Sequence, residues 1–196
     1  MLASGTDEQD RADMERLAAG HDAALTSIMD RHGERLFHYL ARQLSNETDA
    51  ADVAQETFVR VYHNCARFRS SERFSTWLYT IATNLLRDRF RWRKRHPQVS
   101  LEAENETGMA IQDGLPDPAA SPSEQADKSE RAEEVRRAVQ ALPEELRTPL
   151  ILFEYEGLAH AEIGAVLNCS AKAIESKLYR ARGQLRKQLE KALQAR

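Results

Sequence analysis

From Asp49 to Arg95 the chain keeps apolar residues at helical spacing, then turns strongly basic without leaving that period. Ala54, Phe58, Val61, Tyr62 and Cys65 fall at i, i+4, i+7, i+8 and i+11, which places them on one helical face. The other face carries Asp49, Asp52, Gln55 and Glu56, an acidic stripe without an evident partner nearby in sequence. A polar break over Arg69–Arg73 separates this helix from a second one, whose expected buried residues are Phe74, Trp77, Leu78, Ile81 and Leu85. Arg87–Arg95 then holds six Arg or Lys and one acid, Asp88, with Phe90 and Trp92 set among them. A helix of cations interleaved with rings suits a polyanion whose bases can stack. The acidic stripe on its neighbour suits a basic or polar partner.

Helix formers dominate the chain and no alternating β-branched run occurs, so the expected class is all-α. The net charge of −3 conceals an asymmetry. Leu101–Glu130 has eight acids and one Lys, so the flanking segments are basic, and local patches decide whether a protein meets nucleic acid. Residues 97–130 also hold four prolines, two glycines and several serines, a composition unable to support its own core. They are expected to be a flexible acidic linker. Its charge has two readings: solubility, or mimicry of nucleic acid in a basic channel. Two small helical domains are therefore expected, over residues 10–96 and 131–192.

In the first of these, a polar start up to residue 9 is expected to be disordered, Asp10–Ala19 to form a short helix ended by Gly20, and His21–Leu44 a longer helix interrupted near Gly33. Thr48 or Asp49 is the expected cap of the helix that follows. In the second, helical periodicity resumes at Ser129–Ala141. Pro143, Glu144 and Glu145 mark another helix start, with Leu146, Leu150, Ile151 and Phe153 inward. Leu158–Val166 is a short helix. Leu167–Ser170 is a turn in which Asn168 tolerates the left-handed conformation and Ser170 caps a long helix from Ala171 to Leu189. That helix buries Ile174, Leu178, Ala181 and Leu185, and turns Lys172, Ser176, Tyr179 and Arg180 outward with Lys177 at the flank. The layout is that of a helix-turn-helix whose second helix enters a major groove.

The segments Asp52–Tyr62 (DVAQETFVRVY) and Phe74–Tyr79 (FSTWLY), with Asn84, resemble region 2 of the extracytoplasmic-function group of sigma-70 family sigma factors. Glu162-Ile163, Leu167, Ser170, Ile174, Ser176–Leu178 and Arg180–Arg182 resemble region 4 of the same group, in the family's order. Three positions depart from the pattern: Gly164 stands where Ala is usual, Asn168 where Gly is usual, and Glu175 where a basic residue is usual. Glu175 bears on which promoter is read, since a carboxylate repels phosphate yet accepts from cytosine N4.

The resemblance implies an initiation factor that acts by binding. Asp49, Asp52, Gln55 and Glu56 would dock on the clamp of the largest subunit of core RNA polymerase, with the flap of the second-largest subunit as a further contact. Phe68, Trp77, Asn84, Arg87, Arg91, Trp92, Lys94 and Arg95 would hold the −10 element of promoter DNA. Asn84 matches the pocket for a flipped base; Trp77 either lines that pocket or is core only. Arg147, Lys172, Ser176, Lys177, Tyr179 and Arg180 would serve the −35 element. An anti-sigma factor is a further partner that the resemblance implies.

The residues point to no catalytic set: there is no HExxH, P-loop, GxSxG or GxGxxG. No cofactor or metal is expected, since Asp49, Asp52 and Glu56 share a face but lack further converging ligands. Cys65 and Cys169 read as small buried hydrophobes of a reducing compartment. The chain is expected to have no signal peptide and no membrane span, and to be cytoplasmic. A repressor or activator that binds DNA unaided, a decoy that keeps the polymerase face but has lost DNA readout, and a nucleic-acid enzyme are the rival readings. The first predicts a dimerisation surface or ligand pocket in the N-terminal half; Glu175 is the one hint of the second; the third lacks a convergent catalytic set.

Overall fold

The computed structural model describes residues 3–44, 46–96 and 122–194. Among them the regular structure is helical: α1 (Ala3–Ala18), α2 (Ala23–Leu44), α3 (Glu47–Asn64), a 3₁₀ turn (Cys65–Arg67), α4 (Phe74–Arg95), α5 (Pro122–Gln140), α6 (Glu144–Glu154), α7 (His160–Leu167) and α8 (Ala171–Gln194). The all-α architecture and the order of its two halves follow the sequence reading. Several boundaries do not.

Helix α1 begins at Ala3, inside the stretch expected to be disordered. Its anchors are acids. Asp10 is buried and accepts from Arg31 Nε at 3.0 Å, with His32 Nε2 at 2.9 Å. Asp13 accepts from Arg31 at 2.7 Å. Met14 and Leu17 complete the contact as buried apolar residues. Helix α2 runs through Gly33 without a break. Asn46, not Thr48 or Asp49, caps α3, its side chain accepting from the Asp49 N–H at 2.9 Å. On α3 the buried set is Ala50, Val53, Thr57, Phe58 and Val61, whereas Tyr62 is exposed. On α4, Phe74 and Leu78 are buried as expected, together with Tyr79, Ala82, Thr83 and Leu86; Trp77, Ile81 and Leu85 are only half-buried. Helix α5 starts at Pro122, within the expected linker; the rest of that linker, 97–121, lies outside the described residues.

The turn between α7 and α8 is the tightest part of the fold. Asn168 adopts φ 55° and ψ 51°, the left-handed region that Asn tolerates best after Gly. Ser170 Oγ accepts from the Ala173 N–H at 3.2 Å, capping α8. A Cβ at Gly164 would stand 2.6 Å from the Cys169 carbonyl oxygen, so only glycine fits there without a shift. Cys65 and Cys169 are free and half-buried, not fully enclosed.

The two halves pack on one another through a continuous apolar core that runs from Met14 to Ala181. Helix α7 lies along α4, and α6 touches α2. Polar contacts stitch the seam. Arg73 bonds Glu162 at 2.7 Å and Asp7 at 2.9 Å. Arg35 donates to the Glu156 carbonyl at 3.0 Å. The Arg42 guanidinium lies 4.2 Å over the Tyr155 ring. Tyr79 donates to the buried Glu156 carboxylate. Burial raises the Glu156 carboxyl above its ordinary range, offset in part by the Tyr79 hydroxyl and by Arg35.

Candidate nucleic-acid interface

Three surfaces carry the residues singled out from the sequence. The first is the outer face of α3. Asp52, Gln55 and Glu56 are exposed there, and Glu56 pairs with Arg60 one turn on at 2.9 Å. Asp49 does not share their surroundings. Its carboxylate bridges Arg89 and Arg93 of α4, one guanidinium on each oxygen. The acidic stripe that lacked a partner in sequence has one after folding, because α3 and α4 pack side by side.

The second surface is α4 and the loop before it. Phe68, Phe74 and Trp77 form one aromatic cluster, with centroid separations of 5.4 Å (Phe68–Trp77), 5.9 Å (Phe68–Phe74) and 6.1 Å (Phe74–Trp77). Trp77 packs against the core yet keeps part of its ring at the surface. Asn84 is exposed and lines a cleft with Arg87, Phe90, Arg91 and Lys94. Beyond Leu86 no residue of the helix is buried. Trp92 is exposed and stacks on His96 at 4.9 Å and 24°. Arg95 is exposed, with Nε 3.3 Å from the Arg91 carbonyl.

A sixth side chain shares the Asn84 cleft: Glu144, from the first turn of α6. Glu145, beside it, lines the adjoining cleft with Arg87, Thr148 and Lys177. The −10 candidates therefore face carboxylates from the other half of the chain. The sequence holds no sign of this, since 57 positions separate Arg87 from Glu144.

The third surface is α8. Lys172, Glu175, Ser176, Tyr179 and Arg180 are exposed on its first three turns, and Tyr179 retains 82% of its accessible surface. Ser176 Oγ donates back to the Lys172 carbonyl at 3.1 Å. Arg180 pairs with Glu145 at 2.8 Å and Arg182 with Glu154 at 2.8 Å. Lys177 is half-buried toward Arg87. Arg147 is not with them. It lies in the seam, donating to the Gln140 carbonyl at 3.0 Å with its guanidinium 5.9 Å from the Phe90 ring, and burial lowers its pKa. Helical phase explains the difference: Leu146 and Leu150 point into the core, and Arg147 turns with them toward α4.

Among the described residues no group of three or more His, Cys, Asp or Glu is arranged to hold a metal ion, and no helix is long and apolar enough to cross a membrane.

A helix-turn-helix with an open outer face, preceded by a bundle ending in a basic, ring-bearing helix, defines a two-part all-helical protein built to face nucleic acid. Known proteins make the class specific. The model for Sigma-70 region 2 matches residues 28–96, and the one for Sigma-70, region 4 matches residues 132–185. The ECF RNA polymerase sigma factor SigW of Bacillus subtilis is 31% identical over 176 residues, covering 90% of this chain and 94% of the relative. The RNA polymerase sigma-H factor of Pseudomonas aeruginosa is 33% identical over 189 residues, covering 96% and 97%. Among solved structures, CnrH in complex with the cytosolic domain of CnrY matches with a TM-score of 0.67 and 26% identity over 93% of this chain and 97% of that one. The chain belongs to the sigma-70 family, in its extracytoplasmic-function group.

Proposed function

We propose that this protein binds core RNA polymerase and directs it to a specific set of promoters, reading the −10 element with the α4 surface and the −35 element with α8. It acts by binding and not by catalysis, and it works beside the polymerase in the cytoplasm. The observation that carries the reading is the combination of three surfaces on one small chain. An exposed acid–amide face on α3 borders a basic–aromatic helix, Asp52 and Glu56 lining one cleft with Trp92 and Arg93, and a helix-turn-helix adds the third surface. A regulator that binds DNA alone needs only the last of these.

In this reading Asp52, Gln55 and Glu56 meet the polymerase clamp, and region 4 meets the flap. Asn84, Arg87, Arg91, Lys94 and Arg95 hold the −10 strand, with Phe68, Trp77 and Trp92 as stacking rings. Lys172, Ser176, Lys177, Tyr179 and Arg180 face the −35 groove. Arg147, sequestered in the seam, serves the packing of the two halves. Neither DNA surface needs high affinity alone, because the polymerase tethers both and raises their effective concentration. The match to CnrH, solved with the cytosolic domain of another protein, supports an anti-sigma factor as a further partner.

Run-off transcription with core polymerase on a promoter pool tests the proposal. Wild type initiates from a discrete set of promoters, and Asp52→Arg/Glu56→Arg loses at least about tenfold of that initiation through charge reversal at the docking face. A wild-type chain that adds no initiation but shifts duplex DNA by itself would make it a self-sufficient regulator and end the polymerase assignment.

A further inference from the structure

The basic end of α4 outruns its core. Leu86 is the last buried residue of the helix, yet the helix continues for nine more residues to Arg95. Those nine carry six cations against Asp88 alone, and cations one turn apart repel each other. Within the helix, Arg91 pairs with Asp88 and Trp92 stacks on His96. Among the described residues, two ties lead to other elements: Phe90 beneath Arg147, and Asp49 between Arg89 and Arg93.

Asp49 is itself well held. It lies in the first turn of α3, its N–H fixed by the Asn46 side chain at 2.9 Å, and its side chain is only 16% exposed. It lines a cleft of about 1600 Å³, with Val53 and Glu56 of α3 on one wall and Leu85, Arg89 and Trp92 of α4 on the other. Arg89 and Arg93 are one turn apart and so share a face. Asn84, Arg87, Arg91 and Lys94, spaced i, i+3, i+7 and i+10, form a different stripe and line the other cleft, Arg91 and Lys94 bordering both. Pinning the first face sets the rotation of the second.

We propose that Asp49 is a positioning residue. It fixes the direction of the basic end of α4, and with it the presentation of Asn84, Arg87, Arg91 and Lys94 to a nucleic-acid strand. It is not a polymerase contact, although it belongs to the same acidic stripe as Asp52 and Glu56. The proposal rests on the promoter-reading role argued above for that stripe of α4.

Three variants of the full chain test it: Asp49→Asn, which keeps shape and removes charge; Asp49→Glu, which keeps charge; and Arg89→Gln/Arg93→Gln, which removes the partners. Hydrogen exchange of the free chain is read over residues 87–96, and core-polymerase affinity and open-complex lifetime are read on the holoenzyme. Asp49→Asn is expected to speed exchange over 87–96 by about threefold, matching the double arginine variant, while Asp49→Glu stays near wild type. Open-complex lifetime falls by a similar factor, and core affinity stays within about twofold. A tenfold loss of core affinity with unchanged exchange would instead make Asp49 a docking residue. Wild-type exchange in the Asn variant would also overturn the proposal. Failure of every form to bind core polymerase would count against the functional reading, and the exchange data would still decide the role of Asp49.

Discussion

The basic face of α4 and the outward face of α8 carry similar chemistry in different surroundings. Each offers exposed cations and an exposed ring, Trp92 on one and Tyr179 on the other. The α8 face looks into solvent, and on its first three turns Arg180 is tied to another helix, paired with Glu145. The α4 face looks at Glu144 and is bordered by Glu145, Thr148 and Lys177. A nucleic-acid duplex can approach α8 as the chain stands. A strand approaching Asn84 and Arg87 meets carboxylates first, and the like charge of phosphate and carboxylate opposes it. One surface thus faces solvent, whereas the other shares its cleft with a carboxylate of its own chain.

The comparison breaks most readily at the seam. Glu156→Ala leaves the buried Tyr79 hydroxyl without its acceptor, while Arg35 keeps the Glu156 carbonyl, so unfolding experiments should show a loss of about 1–3 kcal/mol and earlier separation of the halves. The Glu156 carboxyl titrates higher in the packed state than its ordinary 4.5, through burial. Its contribution to packing is therefore full below 4.5 and is lost as pH rises through the raised value. Glu156→Gln keeps an acceptor for Tyr79 and removes that pH dependence; a denaturation series from pH 4.5 upward should flatten.

A smaller effect sharpens the α8 side. Lys172→Ala should weaken duplex binding by about 1 kcal/mol whatever the sequence and lower the salt slope by about one, the behaviour of a lost phosphate contact. A sequence-dependent loss would mean that Lys172 reads bases.

Smallest is the effect of neutralising the carboxylates near Arg87. Glu144→Gln/Glu145→Gln should raise the free chain's affinity for a single-stranded −10 oligonucleotide by about 0.3–1 kcal/mol, an exposed-charge effect. Affinity for −35 duplex should change less, through release of Arg180. Equal gains at both would erase the distinction between the surfaces.

What could be read in advance was local. Asn168 and Ser170 announced the turn before α8 because a left-handed residue and a cap are set by neighbours a few positions away. The apolar periods of α6 and α8 placed most of their buried residues in the same way, whereas on α4 only Phe74 and Leu78 of the five expected are buried. Glu156 is the counter-example. Beside Gly157 it looks like a solvated residue of a helix end, and only Tyr79 and Arg35, 77 and 121 positions away, make it a buried acceptor. Arg147 and Asp49 resisted for the same reason: each lies in a charged stretch whose members look alike until tertiary packing assigns their partners. Helix α1 extends to Ala3 on acids that answer Arg31, His32 and Arg73, pairings that no hydrophobic period records.

The tight passage at Gly164 sets which residues this turn can accept. An Ala at 164 beside the present turn would press its methyl into the Cys169 carbonyl. A Gly at 168 beside Gly164 would merely be loose, since Asn168 already occupies the left-handed well that Gly prefers. Position 164 is therefore closed to any side chain unless the turn shifts, whereas position 168 is open to either residue that accepts the left-handed well.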